Sequence, residues 1–562
     1  MVAAKEARLE RLAGVLEGDP HASANLEDAE PASEQSLLLR GLGMERVLLL
    51  GSLYLALLLP TLSQTIVSTA LPSILADINV RSSDIGYTWV GSVYALAQAM
   101  ALPLFARLAG VPRRKPTLLA TLGIFAIGSA LCGSAVGIEM LLAGRAIQGI
   151  GAGGVAGLVF IGIAEIVKGR GLGRYDELAV ATWAVASALG PLLGGMLADH
   201  ATWRWCFFMN LPVCAVCGIL ISIFLKTNQP TTTLRSTLRS LDLWGVTTIG
   251  VGKVLILLAL QWATQGESWR SPHVLVALLC GIGVLVRFFH AEFIASDPVV
   301  PLRFFNHRTR MGAFTAAFFH SVAHSGLNYW LPLYFQGVKR QSATDSGISM
   351  LPWTLAFALI STGSTPLILA IKRYRGITWA GFVIAVLGCG LLVLLDSSSS
   401  DSLISGLLVI AGVGFGPNFS ALLLPIQASF DNKGGDKMSA VILSSSAYMF
   451  LRSLGSSIGI SVSGLVFFED LASHQLPSLS VFNLTQAIKN PGALSVLEED
   501  ANLGVFHLAM QHVFVQVCVV TGAGLLMSLV IAKHKFDEGS SFPASDGRGI
   551  GTRIDSWGTD GG

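Results

Sequence analysis

The sequence predicts an all-α polytopic membrane protein, and three observations support this prediction. Hydrophobic residues make up 52% of the 562 residues and charged residues only 13%, whereas a soluble protein carries about 25% charged residues. The apolar residues come in blocks of about twenty, which is the length that a helix needs to cross a bilayer. Lysines and arginines are concentrated in alternate loops between these blocks, as the positive-inside rule describes.

Fourteen apolar blocks are long enough to be predicted as membrane spans. We assign them to residues 46–69, 84–106, 116–136, 139–165, 177–199, 205–225, 242–264, 272–291, 311–335, 346–370, 377–395, 403–427, 440–467 and 508–532.

The charges of the loops orient these spans. With a cytosolic N terminus, the inner loops carry three times as many lysines and arginines as the outer loops. The even number of spans then predicts that both termini are cytosolic. We expect the plasma membrane, with the vacuolar membrane as the alternative. The outer loop 468–507 is the longest between spans and contains an N-glycosylation sequon at Asn483.

Several other classes of function find no support in the residues. The net charge of +2 is close to neutral and predicts no nucleic-acid partner. The seven cysteines lie in or beside apolar blocks, so we predict neither disulfides nor a metal site. Residues 149–154 have the G-x-G-x-x-G spacing but lie inside an apolar block and not after a strand, which argues against a dinucleotide site. We therefore expect no cofactor and no enzymatic activity.

The stretch 139–195 is the most informative part of the chain. Arg145 lies inside an apolar block, and an arginine at membrane depth is costly unless it faces protein or water. It either extends to the interface or faces an internal polar cavity. A later block contains Gly190, Pro191, Gly194 and Gly195, which allow a membrane helix to bend and to pack closely.

These segments resemble motifs of a known family. Residues 145–154 (RAIQGIGAGG) are similar to the arginine-and-glycine motif in the fourth helix of major facilitator superfamily transporters, and residues 186–195 (ASALGPLLGG) to the antiporter motif of the fifth helix. Residues 62–72 (LSQTIVSTALP), 203–212 (WRWCFFMNLP) and 329–336 (YWLPLYFQ) resemble segments of the fourteen-helix drug:proton antiporters in that superfamily. The likeness covers residues 46–532 and is greatest for fungal toxin and multidrug efflux pumps.

The resemblance implies a major facilitator fold, with two six-helix bundles and two inserted helices. The implied domains are a cytosolic disordered tail over residues 1–45, an N-terminal bundle over 46–225, a linker with the inserted helices over 226–310, a C-terminal bundle over 311–532 and a second disordered tail over 533–562.

Two departures from the family pattern bear on the mechanism. Gly110 replaces an aspartate in the loop after the second span, where Arg114 and Lys115 remain; these basic residues either latch the two halves together or bind anionic lipid. Ser63 replaces an aspartate in the first span, and serine does not titrate near neutral pH. If the chain is an antiporter, another group must carry the proton.

His320 and His324 are candidates for that group. They lie four residues apart and therefore share a helix face, and imidazole titrates near neutral pH. The carboxylates Glu165 and Asp176, at the mouths of spans, are the alternatives. A metal site at the two histidines lacks an evident third ligand.

Polar side chains inside spans are predicted to form the transport path. The predicted set is Arg145, Gln148, Gln64, Gln98, His320, His324, Asn328 and Arg452. Each of these side chains alone could instead make a hydrogen bond between helices. We expect the aromatic residues Phe319, Tyr329 and Trp330 to supply apolar surface to a binding pocket.

The sequence therefore predicts a secondary active transporter that exports a drug or a secondary metabolite in exchange for protons. The predicted partners are the lipid bilayer, a small amphipathic organic substrate and protons, and we expect a monomer. Two alternatives remain open at this point. One is proton-coupled import, for example of a siderophore, and the other is a transporter-like sensor that binds its ligand without turnover.

Overall fold

The computed structural model describes eleven stretches of the chain. They are residues 44–78, 83–108, 114–167, 172–225, 243–264, 267–294, 305–371, 373–396, 398–429, 437–473 and 496–532. Contacts between residues divide the chain into two units after Gly51. The described part of the first unit is only the beginning of the first helix, and the packing reported below concerns the unit that starts at Ser52.

The described residues form helices and no strands. In the first part of the chain the helices are α1 (Met44–Asp77), α2 (Ser83–Leu108), α3 (Arg114–Gly133), α4 (Ile138–Val167), α5 (Leu172–His200), α6 (Trp205–Phe208), α7 (Asn210–Phe224), α8 (Leu243–Thr264) and α9 (Pro272–Ile294). They are followed by α10 (Arg308–Gly337), α11 (Ala343–Ser349), α12 (Leu351–Ile371), α13 (Tyr374–Val393), α14 (Asp401–Ala421), α15 (Leu423–Ala428), α16 (Lys437–Ser473) and α17 (Val496–Leu529).

One or two helices lie at the position of each predicted span, but the number of spans stays a prediction. Eleven segments of the described helices are long and apolar enough to cross a membrane. Helices α2, α8 and α10 are not among them. In α10 the buried polar residues His320, His324 and Asn328 lower the hydropathy that a span would otherwise show.

Both ends of the predicted outer loop 468–507 are helical, and its place outside the membrane stays a prediction. Helix α16 continues to Ser473 and α17 begins at Val496. Apolar residues at helical spacing, such as Leu471 and Phe506, are buried in the core and extend these helices beyond the apolar blocks. Asn483 lies outside the described residues, as do the predicted tails up to residue 43 and from residue 533.

Helix α4 packs closely against both α2 and α3 because glycines occupy its contact faces. A Cβ atom at Gly149 or Gly153 would overlap the backbone of α2, and one at Gly151 would overlap the backbone of α3. Small residues let membrane helices approach in this way. The glycine spacing at residues 149–154 is therefore a packing seam inside a helix, with no strand before it.

The second half of the chain is built around two groups of helices. Helix α10 packs against α16 and α17, and α14 packs against α12 and α13. Two seams connect these helices to the first half: α2 packs along α16, and α5 packs along α11 and α12. The hairpin of α8 and α9 lies against the first of these seams, since α8 contacts both α2 and α16.

Candidate functional site

A cavity lies between the helices of the two halves. The volume open to the centres of water molecules is about 120 Å³. Helices α1, α2, α4 and α5 form one wall, and α10, α14 and α16 form the other. The lining residues are Leu57, Pro60, Thr61, Gln64, Thr65, Gln98, Leu102, Ala156, Phe160, Ala179, Val180, Trp183, Ser321, His324, Ser325, Asn328, Tyr329, Phe419, Met449, Arg452, Ser453, Ser456 and Ile460.

One face of α10 supplies the largest share of the polar lining. Ser321, His324, Ser325 and Asn328 all line the cavity, and their spacing of three and four residues places them on a single helix face. Five of the eight predicted path residues line the same cavity. They are Gln64, Gln98, His324, Asn328 and Arg452.

One hydrogen bond across the cavity links the two halves, and others join helices of the second half. The Gln64 amide nitrogen in α1 donates to Ser456 Oγ in α16 at 3.0 Å. Ser325 Oγ in turn donates to the carbonyl oxygen of Ser456 at 3.0 Å. Asn328 accepts a hydrogen bond from the indole nitrogen of Trp353 at 3.1 Å. Protein groups thus satisfy part of the hydrogen-bonding capacity of the polar lining. Its carbonyl, hydroxyl and amide atoms can still form hydrogen bonds to a ligand.

Arg452 is the one charged residue among the described residues that line the cavity. Its side chain is 7% exposed and lies over the ring of Phe419, 4.1 Å from the centroid. Its nitrogen Nη1 lies 3.4 Å from the Tyr448 hydroxyl and 3.4 Å from His320 Nδ1. Both partners are neutral acceptors, so the charge of the guanidinium is not balanced by either of them.

The two histidines differ in their surroundings. His320 is completely buried and does not line the cavity. Its Nε2 lies 3.0 Å from the Phe415 carbonyl oxygen, and a carbonyl only accepts, so Nε2 carries the hydrogen and Nδ1 accepts from Arg452. In contrast, His324 lines the cavity, and its Nε2 finds no hydrogen-bond partner within the described part of the chain.

Arg145 and Gln148 lie outside the cavity lining, in a closed polar cluster of the first half. Arg145 is fully buried and donates to the Val90 carbonyl at 3.1 Å, the Ser63 carbonyl at 3.2 Å and Gln148 Oε1 at 2.7 Å. Its guanidinium also lies over the Tyr94 ring. The sequence left two interpretations open, and the structure shows neither: Arg145 does not extend to the interface, and it faces protein groups and not a cavity.

Ser63 connects Arg145 to a set of side-chain amides. The Ser63 hydroxyl accepts from Asn210 at 2.9 Å and from Gln148 at 3.4 Å. Gln148 also donates to Ser129 at 2.8 Å. Asn210 and Ser129 did not enter the predicted set, and neither did their link to Ser63. A role of this cluster in transport stays a prediction.

The aromatic wall differs from the predicted one. Trp183 of α5 stacks on Phe419 of α14 with ring centroids 4.2 Å apart, and both line the cavity with Tyr329. Trp330 is buried away from the lining and donates to the Ile460 carbonyl, and Phe319 is not a lining residue either. Sequence reasoning missed Trp183, although it lies in the same apolar block as the glycine motif and one helical turn after the lining residue Ala179.

The glycines of the α5 motif allow close contacts between helices. A Cβ atom at Gly190 would overlap Thr65 Oγ1, and one at Gly194 would overlap the Ile66 carbonyl, both in α1. At Gly195 it would overlap the Ala343 carbonyl of α11. From the other side, Gly347 of α11 faces the carbonyl of Pro191. Gly195 therefore lies in the seam between the two halves, whereas Gly190 and Gly194 lie in the contact between α5 and α1 within the first half.

Lys115 lies away from the cavity lining, and the side chains of Glu165 and Asp176 lie outside the described residues. Lys115 donates to the Ser222 carbonyl of α7 at 2.5 Å, and the side chain of Arg114 lies outside the described residues. Within the described ranges, no group of three or more histidine, cysteine, aspartate or glutamate side chains could hold a metal ion.

Sequence comparison identifies the family. The Major Facilitator Superfamily profile matches residues 53–460, which is most of the chain. The chain belongs to the major facilitator superfamily. Efflux pump FUS6 of Gibberella fujikuroi is 34% identical over 84% of this chain and 84% of that protein. Efflux pump dotC of Dothistroma septosporum is 33% identical over 90% of this chain and 86% of that protein.

A solved structure agrees with this assignment of the fold. A bacterial homologue of the human lysosomal transporter Spinster, in an inward-facing and unoccupied conformation, superposes with a TM-score of 0.62. The match covers 88% of this chain and 100% of that one at 16% sequence identity, so it bears on the fold alone. The predicted major facilitator fold is confirmed. The chain is a multi-pass membrane transporter whose surroundings are the lipid bilayer and whose substrate is a small molecule.

Proposed function

We propose that this transporter exports a toxin or secondary metabolite and exchanges it for protons. The observation that carries the proposal is the cavity between the two halves, which combines a polar face on α10 with the aromatic pair Trp183 and Phe419. Midplane sites of this kind bind amphipathic compounds in secondary transporters. The relatives FUS6 and dotC are named efflux pumps, which supports export over import.

The two seams supply a route for alternating access. Rocking of one half against the other opens a central site to one side at a time. Such a motion separates α5 from α11 and α2 from α16. The Gln64–Ser456 hydrogen bond crosses between the halves, so it breaks when they move apart at that depth.

His324 is the better of the two histidines for carrying the proton. Both ring nitrogens of His320 already have partners, Phe415 and Arg452. In His324 the Nε2 atom is without a hydrogen-bond partner in the described structure, and the ring lines the cavity. A proton on His324 and a bound substrate would then occupy neighbouring positions, as an exchange mechanism requires.

Deleting the gene and profiling metabolites tests the export function. We expect cells without the transporter to retain compounds that the parent strain releases into the medium. If both strains release the same compounds in the same amounts, export is contradicted. A retained compound then serves as the substrate in vesicle experiments.

Proton coupling is tested in vesicles with an imposed pH gradient. We expect wild-type flux of the retained compound to dissipate the gradient, H324Q to transport without dissipating it, and H320Q to remain coupled with a reduced rate. Glutamine keeps the volume and a hydrogen-bonding group but does not titrate. Unchanged coupling in H324Q would exclude His324 and leave Glu165 and Asp176 as the groups to test next.

We further propose that the protein lies in the plasma membrane as a monomer with both termini in the cytosol. The charge asymmetry of the loops supports this orientation. Helices of a single chain form both walls of the cavity, so the site is complete without a second copy.

A further inference from the structure

We infer that the cavity binds an organic anion, and that Arg452 is the residue that recognises its carboxylate or other acidic group. The inference rests on the proposed export function, because it names the class of compound that the same cavity carries. Three observations support it: the charge of the lining, the free donors of Arg452 and the contrast with Arg145.

The charge of the lining is the first observation. Among the described lining residues there is one cation and no carboxylate. A charge at membrane depth is costly without a partner of opposite sign or water around it. The rings of Phe419 and Tyr448 lie 4.1 Å and 5.6 Å from the guanidinium carbon and attract the cation weakly, but neither ring neutralises it. An anionic ligand would supply the missing charge.

The free donors of Arg452 are the second observation. Both of its side-chain hydrogen bonds use Nη1. Towards the residues that the structure describes, Nε and Nη2 make none. These two nitrogens lie on one edge of the planar guanidinium and match the two oxygens of a carboxylate.

The contrast with Arg145 is the third observation. Arg145 is 0% exposed and donates to two backbone carbonyls and the oxygen of Gln148. Three acceptors therefore hold Nε and Nη1 of Arg145, which is closed off from the cavity, whereas Arg452 lines the cavity. A purely structural arginine would be expected to resemble Arg145.

The aromatic wall indicates a second feature of the ligand, an aromatic ring. The guanidinium lies over Phe419, and Phe419 stacks with Trp183. The acidic group and the aromatic surface therefore meet at one side chain. A compound that carries its acidic group within one or two bonds of an aromatic ring can contact both at once, so we expect aromatic acids to bind better than long-chain fatty acids.

Binding of three matched compounds to the purified full-length protein in lipid nanodiscs tests this inference. Radiolabelled naphthylacetate, its neutral amide naphthylacetamide and the cation naphthylethylamine share one aromatic ring system and differ in charge. We expect naphthylacetate to bind at least tenfold more tightly than the amide, which corresponds to about 1.4 kcal/mol, and the amine to bind more weakly than the amide. Equal affinity for acid and amide, or tighter binding of the amine, would overturn the inference.

Substitutions of Arg452 test whether this residue recognises the acidic group. In R452Q the acid and the amide should bind with about equal affinity. In R452K the preference for the acid should be intermediate, because lysine keeps the positive charge but lacks the paired N–H donors of the guanidinium. R373Q removes an equal charge at an exposed position outside the lining and should keep the full preference. If R452Q does not fold, the comparison of the three compounds on the wild type and on R452K still decides the question.

The outcome is separable from that of the export function. If the protein prefers naphthylacetate but deletion of its gene changes no released metabolite, the anion site is supported and export is contradicted. Conversely, a deletion strain that retains only neutral or cationic compounds would support export and contradict the anion site.

Discussion

At the scale of single residues, Ser63 shows how the protein accommodates a departure from the family pattern. Its hydroxyl is held by Asn210 and Gln148, and its carbonyl accepts from Arg145. The nitrogen Nη2 of Arg145 makes no hydrogen bond to the described residues. The site of the missing aspartate is therefore still surrounded by donors and a positive charge.

This environment predicts that S63D is tolerated better than S63A. An aspartate would accept from Asn210 and Gln148 and pair with Arg145, so we expect its melting temperature in detergent to equal or exceed that of the wild type. Alanine removes the acceptor and leaves buried donors unsatisfied, at a cost of about 1–3 kcal/mol, and should melt lower. A melting temperature for S63D below that of S63A would contradict the observed hydrogen bonds.

The residues that sequence reasoning placed in the transport path divide into two groups. Gln64 and Asn328 line the cavity, whereas Arg145 is enclosed by carbonyl groups of its own half. The sequence gives the depth of a polar residue in a span, and from the cost of burying it one infers that it faces protein. It does not give the rotation of each helix about its axis, which decides whether the residue faces a cavity or a neighbouring helix.

At the scale of helices, hydropathy predicted where helices lie but not where they break. The spans predicted over 205–225, 346–370 and 403–427 are each divided in the structure. The second helix in each case has a proline in its first turn, namely Pro212, Pro352 and Pro425. Proline lacks an N–H group and suits the first turn of a helix, so these prolines could have indicated where the second helices begin. Prolines within unbroken helices, such as Pro191 and Pro332, show why that signal alone was ambiguous.

The seam between α5 and α11 predicts different effects for two glycine substitutions. In G195A the added methyl group would overlap the Ala343 carbonyl, and we expect a loss of about 1–3 kcal/mol from overpacking, together with reduced flux. G363A is the matched control, because a Cβ there meets no atom within 4 Å and alanine favours the helix by about 0.5–1 kcal/mol.

Thermal melting and vesicle flux of both variants check this prediction. A G195A variant that melts and transports like G363A would show that the two helices are less close than the structure places them.

At the scale of the whole molecule, the proposed mechanism requires that the seam between α5 and α11 opens. Asp199 at the end of α5 accepts hydrogen bonds from the backbone nitrogen and the hydroxyl of Thr344, both at 2.7 Å. This contact holds the two halves together at one end of the cavity. It is exposed, so reagents can reach it.

Cross-linking this contact should stop transport. In a D199C/T344C double variant, a short thiol-specific reagent with a cleavable spacer should reduce flux at least tenfold, and cleavage of the spacer should restore it. Each single variant treated in the same way controls for modification of the seven natural cysteines, of which Cys280 is exposed. Undiminished flux in the cross-linked protein would mean that substrate passes without separation of this seam.

The glycines of α5 have a consequence for how the gene tolerates change. Because Gly190, Gly194 and Gly195 lie against backbone or a short side chain with no spare room, even the smallest replacement pushes two helices apart. Mutations that inactivate the transporter should therefore occur at these positions as often as in the cavity lining, so an inactive strain does not by itself indicate a lost contact to substrate.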